Sequence, residues 1–596
     1  MTPYNAPLAD MRFLLQEVAG LPEVASWPGY EEATPDLVDA VLEEAGKLAG
    51  EVLAPLNRIG DQEGSQYENG VVRTPPGFKE AYRHHVEGGW NGLAFDPEFG
   101  GQGLPWLLAT PIQEMWNAAN MSFALCPLLN QGAVDLLQAH GSAAQKACFL
   151  PKMVTGEWTG TMNLTEPQAG SDVGAVKTRA LRDGDRYRIT GQKIYITYGE
   201  HDFTDNIVHM VLARTPDAPA GTKGISLFIV PKFLVNEDGS LGQRNDLRCA
   251  SLEHKLGINA SPTAVMAYGD NEGAVGYLVG EENHGMAYMF TMMNNARLAV
   301  GVQGLAIADR AYQQALAFAR ERVQSRAIGS DDRAAPIIRH PDVRRMLMTM
   351  KAQSEAARAL IYTTAAALDR ARRHPDAAER ARGQARTDLL IPVVKAWPTD
   401  LGCEIASTGV QVHGGMGFIE ETGAAQHYRD ARILPIYEGT NGIQGLDLLM
   451  RKLARDEGAA ARAFFADMKA LLAGLAGEEL AAIRAPLSRA LDDLGGVTEG
   501  LLEKVKRDPV EAAAGASPYL RQFGIVAGGL LLAKAASAAK CRLANGGGNG
   551  FDPAFLEAKL TTARFYVDNV LPQAGACAAQ VTDGAESTLA LEEAQF

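Results

Sequence analysis

The hydrophobic period changes twice along this chain, and the two changes restrict the folds that it can adopt. From about residue 36 to 155, apolar residues recur every three or four positions, as in "DLVDAVLEEAGKLAGEVLAPLNRIG". From about 156 to 284 they form short alternating runs, as in "RYRITGQKIYIT" and "GISLFIVPK". Helical spacing returns at 285 and continues into the last part of the chain. This order predicts an α+β fold, because an α/β fold would alternate strands with helices.

The length of the chain, 596 residues, is too great for a single hydrophobic core. The two changes of period predict an N-terminal helical domain at 1–155, a central β domain at 156–284 and a helical bundle from 285 to 454. The Ala/Leu-rich composition that follows predicts an additional C-terminal helical domain at 455–596. The stretch "ANGGGNG" at 544–550 is expected to interrupt the last domain, since glycine and asparagine favour turns.

The composition argues against several kinds of site and partner. The formal net charge of -15 disfavours a nucleic-acid surface, and the charges of the last domain nearly balance, so it does not resemble a DNA-binding tail. The six cysteines are scattered without a CxxC motif or a Cys/His pair, so we expect neither a metal site nor a disulfide framework. This cysteine usage fits a reducing compartment.

The chain shows no pattern that would direct it to a membrane. The first twenty residues have no basic segment followed by an apolar one, so we expect no signal peptide. The apolar run "FGIVAGGLLLA" at 523–533 is too short to span a bilayer and is followed by Lys534. We therefore expect a cytoplasmic protein without membrane insertion.

The first candidate for a binding loop is "MNLTEPQAGSDVGAVKTRA" at 162–180. Its glycine and small residues would let a flat or phosphorylated ligand approach the backbone N–H groups. The alternative is an ordinary corner between a strand and a loop, with Asp172 capping the element that follows.

A second candidate is the strand "KIYITYG" at 193–199. Alternation places Tyr195 and Thr197 on the same face, where an aromatic ring could stack on a ligand and a hydroxyl could bind it. The alternative is two ordinary strand residues.

A third candidate is the glycine-rich stretch "QVHGGMGF" at 411–418. It resembles a phosphate-binding loop but does not follow a strand in a βαβ unit, so a Rossmann interpretation is poor. The alternative is a loop that ends a helix. His413 has no partner at ligand spacing and is predicted to be a packed polar residue.

The stretch "ILPIYEGTNGIQ" carries a single carboxylate, Glu438, after an apolar run and before a glycine. Thr440 or Asn441 can cap the helix that follows. A carboxylate beside apolar neighbours should have a raised pKa, as a working general base does. The alternative is a surface glutamate that interacts with the dipole of this helix.

Taken together, the stretches "LTEPQAGSD", "KIYIT", "ARERVQSR", "QVHGGMGF" and "IYEGTNGIQ" resemble, in this order, the motifs of the acyl-CoA dehydrogenase family. The resemblance covers about residues 36 to 455. It implies an N-terminal helical domain, a central β-barrel-like domain and a four-helix-bundle domain. The additional C-terminal helical domain resembles that of long bacterial members.

The resemblance implies FAD as the cofactor. Its contacts would be Met162, Leu164, Thr165, Gly170, Ser171, Tyr195, Thr197, Arg322, Gln411, Gly414, Gly415, Thr440 and Gly442. Tyr195 takes a place usually held by tryptophan, and Gly442 replaces a common glutamine. Arg322 and residues 411–415 would reach the FAD of a neighbouring subunit, which implies a homodimer or a dimer of dimers.

The resemblance also implies the reaction. Glu438 would remove the α proton of an acyl-CoA thioester, giving a trans-2-enoyl-CoA, and electrons would pass to an electron-transfer flavoprotein. Substrate contacts would be Ser171, Asn294, Arg297, Glu438 and Gly439. Some members carry the base beside the arginine, but here that neighbour is Ala296.

Three alternatives stay open for the function. The stretches "LGINASPTAVMAYG" and "GMAYMFTMMNNARL" resemble members that act on a methylthio-substituted acyl-CoA, whereas other long members act on short or medium fatty acyl-CoAs. An oxidase of the same fold would pass electrons to oxygen. A DNA-associated relative is disfavoured, because the last domain is not basic.

Overall fold

The computed structural model of the chain describes residues 2–331, 333–545 and 550–596. The chain packs as two compact units. Unit 1 comprises residues 1–43, 105–114 and 300–596, and unit 2 comprises residues 44–104 and 115–299. The predicted interruption at 544–550 falls largely on residues 546–549, which lie outside the described residues. The division into four domains remains a prediction.

Helices make up most of the chain. In order they are α1 (Leu8–Phe13), α2 (Leu21–Val24), α3 (Pro35–Lys47), α4 (Ala54–Glu63), α5 (Phe78–Glu87), α6 (Trp106–His140), α7 (Ala143–Thr155), α8 (Gly285–Glu321), α9 (Pro341–Arg373), α10 (Ala377–His413), α11 (Ala424–Ala431), α12 (Asn441–Leu446), α13 (Ala459–Ala473), α14 (Glu478–Arg507), α15 (Pro509–Ala514), α16 (Ala516–Ala544), α17 (Pro553–Asn569), α18 (Pro572–Asp583) and α19 (Ala585–Thr588). Short π-helical and 3-10 segments extend several of them.

The strands belong to unit 2. They are β1 (Gln66–Glu68), β2 (Val71–Arg73), β3 (Thr159–Asn163), β4 (Arg179–Asp183), β5 (Arg186–Thr197), β6 (Ile207–Ala213), β7 (Ser226–Pro231), β8 (Phe233–Val235), β9 (Leu241–Arg244), β10 (Leu247–Leu252), β11 (Thr263–Tyr268) and β12 (Ala274–Leu278). The main sheet has the order β10-β11-β5-β12-β7-β6-β3, and β4 also pairs with β5. The predicted α+β class is therefore confirmed, with the β-rich segment between two helical ones.

The core of the main sheet comes from the alternation seen in the sequence. Tyr187 and Ile189 of β5 alternate and are buried with Phe228 and Val230 of β7, whereas Ile196 is buried out of step with them because the strand register shifts before it. Strands β3 and β6 are parallel, whereas β6 and β7 are antiparallel. Strand β3, from whose end the segment at 162–165 continues, stands at one end of the strand order, and all five of its residues are buried.

The helix predicted from residue 285 to 326 ends earlier than its periodicity suggested. Helix α8 stops at Glu321, and the backbone turns at Ser325, which has a positive φ of 57°. Val323 then pairs with Pro336 in an isolated β-bridge. Arg322 consequently lies just beyond the helix rather than on its side.

In unit 1, glycines let α8 and α10 pack closely. A Cβ on Gly304 of α8 would lie 2.4 Å from the carbonyl oxygen of Pro398 of α10. A Cβ on Gly402 of α10 would lie 2.8 Å from the carbonyl oxygen of Gly304. Such distances exclude any side chain, so both positions require glycine for this contact. The contact fixes the position of α10, the helix that supports the candidate site.

The apolar run at 523–533 lies within α16, a helix of 29 residues that is longer than the run suggested. By length and composition α16 could cross a membrane, but 83% of its most apolar window is buried in the protein. Gly524 and Gly528 of α16 lie against the ring of Trp397 on α10, since a Cβ on either would come within 2.6 Å of it. Helix α16 therefore has the features of a core helix of unit 1.

A buried ionic network joins distant parts of unit 1. The guanidinium of Arg358 on α9 donates to Glu114 (2.7 Å), Asp10 (2.5 Å) and Asp309 (3.0 Å). The ammonium of Lys559 on α17 donates to Asp10 and to Glu355 (2.9 Å). Burial raises the pKa of Glu114 although the cation of Arg358 opposes this. The additional C-terminal helices are thus tied to the first helix by charge as well as by apolar contact.

Candidate active site

The segment at 162–165 lies beside β5 in unit 2. The side chains of Met162 and Leu164 are almost completely buried. The carbonyl oxygen of Thr165 accepts a hydrogen bond from the N–H of Ile194 (2.9 Å). The hydroxyl of Thr161 donates to the carbonyl oxygen of Thr197 (2.6 Å). The two candidate motifs of the β domain, far apart in sequence, are therefore neighbours.

Tyr195 is displayed by a β-bulge. The pairing of β5 with β11 shifts by one residue between Lys193 and Ile196, and Tyr195 has a positive φ of 59°. A tyrosine rarely adopts this conformation, and bulges commonly redirect a side chain next to a functional site. The ring is 60% exposed, while Ile196 beside it is buried. Thr197 is half-buried.

The loop after residue 165 is held by a buried ion pair. The carboxylate of Glu166 accepts from Lys193 Nζ (2.8 Å), from the N–H of Lys177 (2.7 Å) and from the N–H of Thr178 (3.0 Å). Lys193 Nζ also donates to the carbonyl oxygen of Leu164 (2.9 Å). The capping role considered for Asp172 is not observed, since its side chain makes no capping hydrogen bond. The ion pair, rather than a cap, shapes this corner.

Beyond the ion pair the loop faces solvent. Gly170 and Ser171 are exposed, and a Cβ on Gly170 would meet nothing within 4 Å. The loop at Gly170 and Ser171 is therefore open to solvent, and its contact with a ligand stays a prediction.

Acidification is expected to weaken unit 2 through Glu166. Burial raises the pKa of this carboxyl, but Lys193 and the hydrogen bonds outweigh burial and lower the pKa from 4.5 to about 2. The ionised Glu166 carboxylate therefore contributes stability above pH 4.5, and this contribution is lost as the pH falls towards 2, while burial lowers the pKa of its partner Lys193 to about 8. The stability difference between wild type and Glu166→Gln, measured by urea unfolding, should shrink by about 3 kcal/mol between about pH 5 and pH 2.

The matched control for this measurement is Glu80→Gln, which removes an exposed carboxylate of unit 2 that pairs with Arg83. Its difference from wild type should be small at every pH. A constant difference for Glu166→Gln over the same range would contradict the assignment of the buried pair.

In unit 1, the end of α8 and the end of α10 lie together. The ring of Phe318 stacks on His413, with centroids 4.5 Å apart, and His413 Nδ1 donates to the carbonyl oxygen of Gly409 (2.7 Å). His413 is thus a packed polar residue, as predicted. Helix α10 ends at His413, and Gly414 follows with a positive φ of 60°.

This end of unit 1 presents a cation and glycines to solvent. Arg322, Gln411, Gly414 and Gly415 are exposed. A Cβ on either glycine would meet nothing within 4 Å. Within the described part of the chain, the Arg322 guanidinium takes part in no ion pair. The prediction that "QVHGGMGF" ends a helix is confirmed, whereas its role as a phosphate-binding loop stays a prediction.

Glu438 lies on a strained turn of unit 1. It has a positive φ of 57°, and Gly439 follows with 85°. The turn leads into α12, which is capped by Thr440, whose hydroxyl accepts from the N–H of Ile443 (3.3 Å). Of the two caps predicted, Thr440 is the one observed. Gly442, in the first turn of α12, is exposed.

The segment around Glu438 differs in two ways from the prediction, in the burial of the carboxylate and in the type of the helix that follows. Leu434 of the preceding apolar run is buried, but Ile436 is 47% exposed and Glu438 itself is half-buried. The run therefore does not enclose the carboxylate by itself. The predicted helix also changes type, since α12 ends at Leu446 and continues as a π-helix, Asp447–Leu453.

Hydrogen bonds from α10 and α12 support this turn. The ammonium of Lys395 donates to the carbonyl oxygen of Leu434 (3.0 Å) and to Asn441 Oδ1 (2.9 Å). Gln444 Nε2 donates to the carbonyl oxygen of Gly439 (3.2 Å). Neither Lys395 nor Gln444 was predicted as a site residue from the sequence. A signal existed for Lys395, which is a lone charge in the apolar run "LLIPVVKAW" just as Glu438 is in its own.

The remaining predicted substrate residues lie on α8 within unit 2. Asn294 is half-buried, and Arg297 and Ala296 are buried. Among the nearby methionines, Met289 and Met292 are fully buried, which fits a core role for these two.

The residues present fit FAD. In unit 2, the exposed ring of Tyr195 and the Thr197 hydroxyl suit a flat ring with a polar edge. In unit 1, the exposed Arg322 guanidinium and the open backbone at Gly414 and Gly415 suit a diphosphate.

Family models match consecutive parts of the chain. They are described as the Acyl-CoA dehydrogenase N-terminal domain (residues 38–157), middle domain (161–270) and C-terminal domain (283–453), followed by an Acetyl-CoA dehydrogenase C-terminal like model (464–592). The last match covers most of the additional C-terminal helices.

Relatives resemble the chain along nearly its whole length. It is 51% identical to a 3-methylmercaptopropionyl-CoA dehydrogenase of Ruegeria pomeroyi, over 98% of this chain and 99% of that protein. It is 37% identical to a butyryl-CoA dehydrogenase of Syntrophomonas wolfei, over 96% and 95%. An acyl-CoA dehydrogenase from Bacillus anthracis, solved in complex with FAD, has the same fold, with a TM-score of 0.73, 22% identity, and coverage of 97% and 94%. This chain therefore belongs to the acyl-CoA dehydrogenase family, and it is an FAD-dependent enzyme.

Proposed function

We propose that the chain dehydrogenates 3-(methylthio)propanoyl-CoA to its trans-2-enoyl-CoA, with Glu438 as the base. The turn of Glu438 supports the role of the base, because a carboxylate is presented there in a strained backbone conformation that hydrogen bonds maintain. The substrate is supported by the 51% identity, over 98% of the chain, to the 3-methylmercaptopropionyl-CoA dehydrogenase, since 3-methylmercaptopropionyl and 3-(methylthio)propanoyl are the same group. Ala296 leaves no carboxylate at the position where some family members carry the base.

In this mechanism the side chains bind the thioester and move one proton. The Glu438 carboxylate accepts the α proton, and its backbone N–H can donate to the thioester oxygen as negative charge develops there. Gly439 would let the substrate approach this N–H closely, and Asn294 and Arg297 are proposed as further substrate contacts. FAD, when bound, supplies the acceptor for the hydride that leaves the β carbon.

We assign the cofactor contacts to two groups of residues. Met162, Leu164, Thr165, Gly170, Ser171, Tyr195 and Thr197 of unit 2 would hold the flavin ring, with Ser171 also touching the CoA arm. Arg322, Gln411, Gly414 and Gly415 of unit 1 would reach the diphosphate or adenosine of the FAD in a second copy of the chain, and Thr440 and Gly442 would also contact FAD. The exposure of Tyr195 and of Arg322 supports these roles, since both groups are free to meet a ligand.

The proposed partners are an electron-transfer flavoprotein and a second copy of the chain, in the cytoplasm. Exposed apolar side chains beside the proposed FAD residues support a dimer. Phe418, seven residues after Gln411, is 86% exposed, and Ile328, six residues after Arg322, is 90% exposed. A second copy that covered these side chains would remove a large apolar surface from water.

A substrate series tests the proposal. Pentanoyl-CoA has the same chain length as 3-(methylthio)propanoyl-CoA but carries a methylene in place of sulfur, so it is a matched control. We expect kcat/KM for the sulfur compound to exceed that for pentanoyl-CoA about 10-fold, the discrimination that one group in an apolar pocket provides. The measurement is flavin-coupled dye reduction with each thioester.

A second candidate, butanoyl-CoA, is favoured by the 37% identity to the butyryl-CoA dehydrogenase. A higher kcat/KM for butanoyl-CoA than for the sulfur compound would replace the proposed substrate with this one. Rapid formation of peroxide in air, without an added acceptor, would instead indicate an oxidase.

A further inference from the structure

A buried lysine lies behind the turn that carries Glu438. Lys395 is completely buried on α10, and its Nζ donates to the carbonyl oxygen of Leu434 (3.0 Å) and to Asn441 Oδ1 (2.9 Å). A charged group buried in this way is costly unless its hydrogen bonds are made. A methionine or leucine of similar length would fill the space at lower cost, so packing alone does not account for the ammonium.

The two acceptors of Lys395 mark the two ends of the turn. Leu434 lies four residues before Glu438, and Asn441 lies three residues after it. The backbone N–H of Asn441 also donates to the carbonyl oxygen of Pro435 (2.9 Å), which closes the same loop. One ammonium thus bridges the start and the end of the segment at whose centre Glu438 stands.

Asn441 is held from the other side as well. Its Nδ2 donates to Asp400 Oδ1 (2.7 Å) and to the carbonyl oxygen of Ala396 (3.1 Å), both on α10. The acceptor that Lys395 uses is therefore fixed in place, and α10 holds the exit of the turn through Lys395, Ala396, Thr399 and Asp400.

The centre of the turn has its own support. Gln444 is completely buried, and its Nε2 lies 3.4 Å from the carbonyl oxygen of Glu438 and 3.2 Å from that of Gly439. Glu438 has a positive φ of 57°, a conformation that persists in a residue with a side chain only where its surroundings impose it. The contacts of Lys395, Asn441 and Gln444 are what impose it here.

We propose that Lys395 and Gln444 are positioning residues that hold the base Glu438 at the α carbon of the substrate. This inference rests on the proposed role of Glu438. Neither residue touches the reacting atoms. Each acts on the backbone at or beside Glu438, so its removal would displace the carboxylate without removing it.

The first test is Lys395→Met, which keeps the length of the side chain and removes its hydrogen bonds. We expect kcat to fall about 10- to 100-fold, because a shift of about 1 Å in a catalytic group has an effect of this size. KM for the acyl-CoA and the FAD content should change less than about 3-fold, since binding groups remain. A purely structural role would lower the melting temperature and leave kcat per folded, FAD-loaded molecule unchanged.

A second measurement follows removal of the α proton separately from hydride transfer. 3,3-Dimethylbutanoyl-CoA has α hydrogens but no β hydrogen, so it can exchange its α protons with D₂O but cannot be dehydrogenated. The exchange, followed by mass spectrometry, should slow in Lys395→Met by the same factor as kcat. Gln444→Met should slow it in the same direction, and this variant keeps the test valid if Lys395→Met fails to fold.

Two controls separate the possible outcomes. Lys534→Met removes a partly buried lysine of unit 1 that donates to the carbonyl oxygen of Val18 (2.7 Å), and it should exchange at the wild-type rate. If Glu438→Gln abolishes exchange while Lys395→Met and Gln444→Met match wild type, the positioning inference is wrong and the base assignment stands. If Glu438→Gln retains exchange, the proposed function itself is wrong.

Discussion

Replacing Glu438 with glutamine is expected to leave a folded, yellow protein whose acyl-CoA turnover is lowered about 10³-fold or more, the usual contribution of a general base. The amide has the size of the carboxylate but cannot accept the α proton. The backbone of the turn should be retained, because the hydrogen bonds from Lys395 and Gln444 to main-chain oxygens and to Asn441 do not depend on the Glu438 carboxylate. The measurement is the anaerobic rate at which the substrate bleaches the flavin absorbance.

The control variant is Glu478→Gln, which changes an exposed glutamate in the first turn of α14 and should turn over at the wild-type rate. Spectral quantification of bound FAD and the melting temperature show whether a loss reflects chemistry or folding. Turnover of Glu438→Gln within about tenfold of wild type would remove Glu438 from the mechanism.

Replacing Arg358 with methionine is expected to destabilise unit 1 by about 3–5 kcal/mol, the cost of breaking a buried ion pair from one side. The substitution leaves Glu114 and Asp309 buried without the cation that now contacts both. In this variant Asp10 on α1 keeps its ion pair with Lys559. We therefore expect the packing of α1 to be weakened less than that of the start of α6, which carries Glu114. Urea unfolding followed by circular dichroism measures the change.

The comparison for this variant is Arg382→Met. Arg382 is likewise paired with a carboxylate, since it contacts both oxygens of Asp467 (2.7 and 2.8 Å), but half of its side chain is exposed. An exposed pair contributes at most about 1 kcal/mol, so the control should unfold close to wild type. Equal losses for Arg358→Met and Arg382→Met would show that burial does not decide the contribution of this network.

Much of the fold was predictable because the spacing at which apolar residues repeat directly indicates which face of an element is buried. Strands that bury one face must alternate, and helices that bury one stripe must repeat every three or four residues. The strand at Arg186–Thr197 was predicted for this reason, and the fully buried strand at Ser226–Pro231 was predicted from a short apolar run. Period fails at the ends of elements, which is why α8 was predicted to run past Glu321 and α16 was judged from its apolar run alone.

The candidate site was predictable only in part. Tyr195 and Glu438 were predicted as site residues because the stretches that contain them resemble motifs of the family. Those motifs do not indicate that either residue has a positive φ. Both conformations are strained, and strain of this kind persists only where neighbouring elements impose it. The neighbours of Glu438 come from residues 395 to 444, and those of Tyr195 from β3 and β11.

The sequence by itself determined the order of helical and β segments, the family, and which carboxylate to examine, because these depend on residue type and spacing along the chain. The tertiary structure alone decided how the motifs are displayed. It brought Thr165 beside Ile194, redirected Tyr195 by a bulge, and placed the ammonium of Lys395 across the ends of the Glu438 turn. These contacts join residues dozens of positions apart, and only packing determines which distant groups meet.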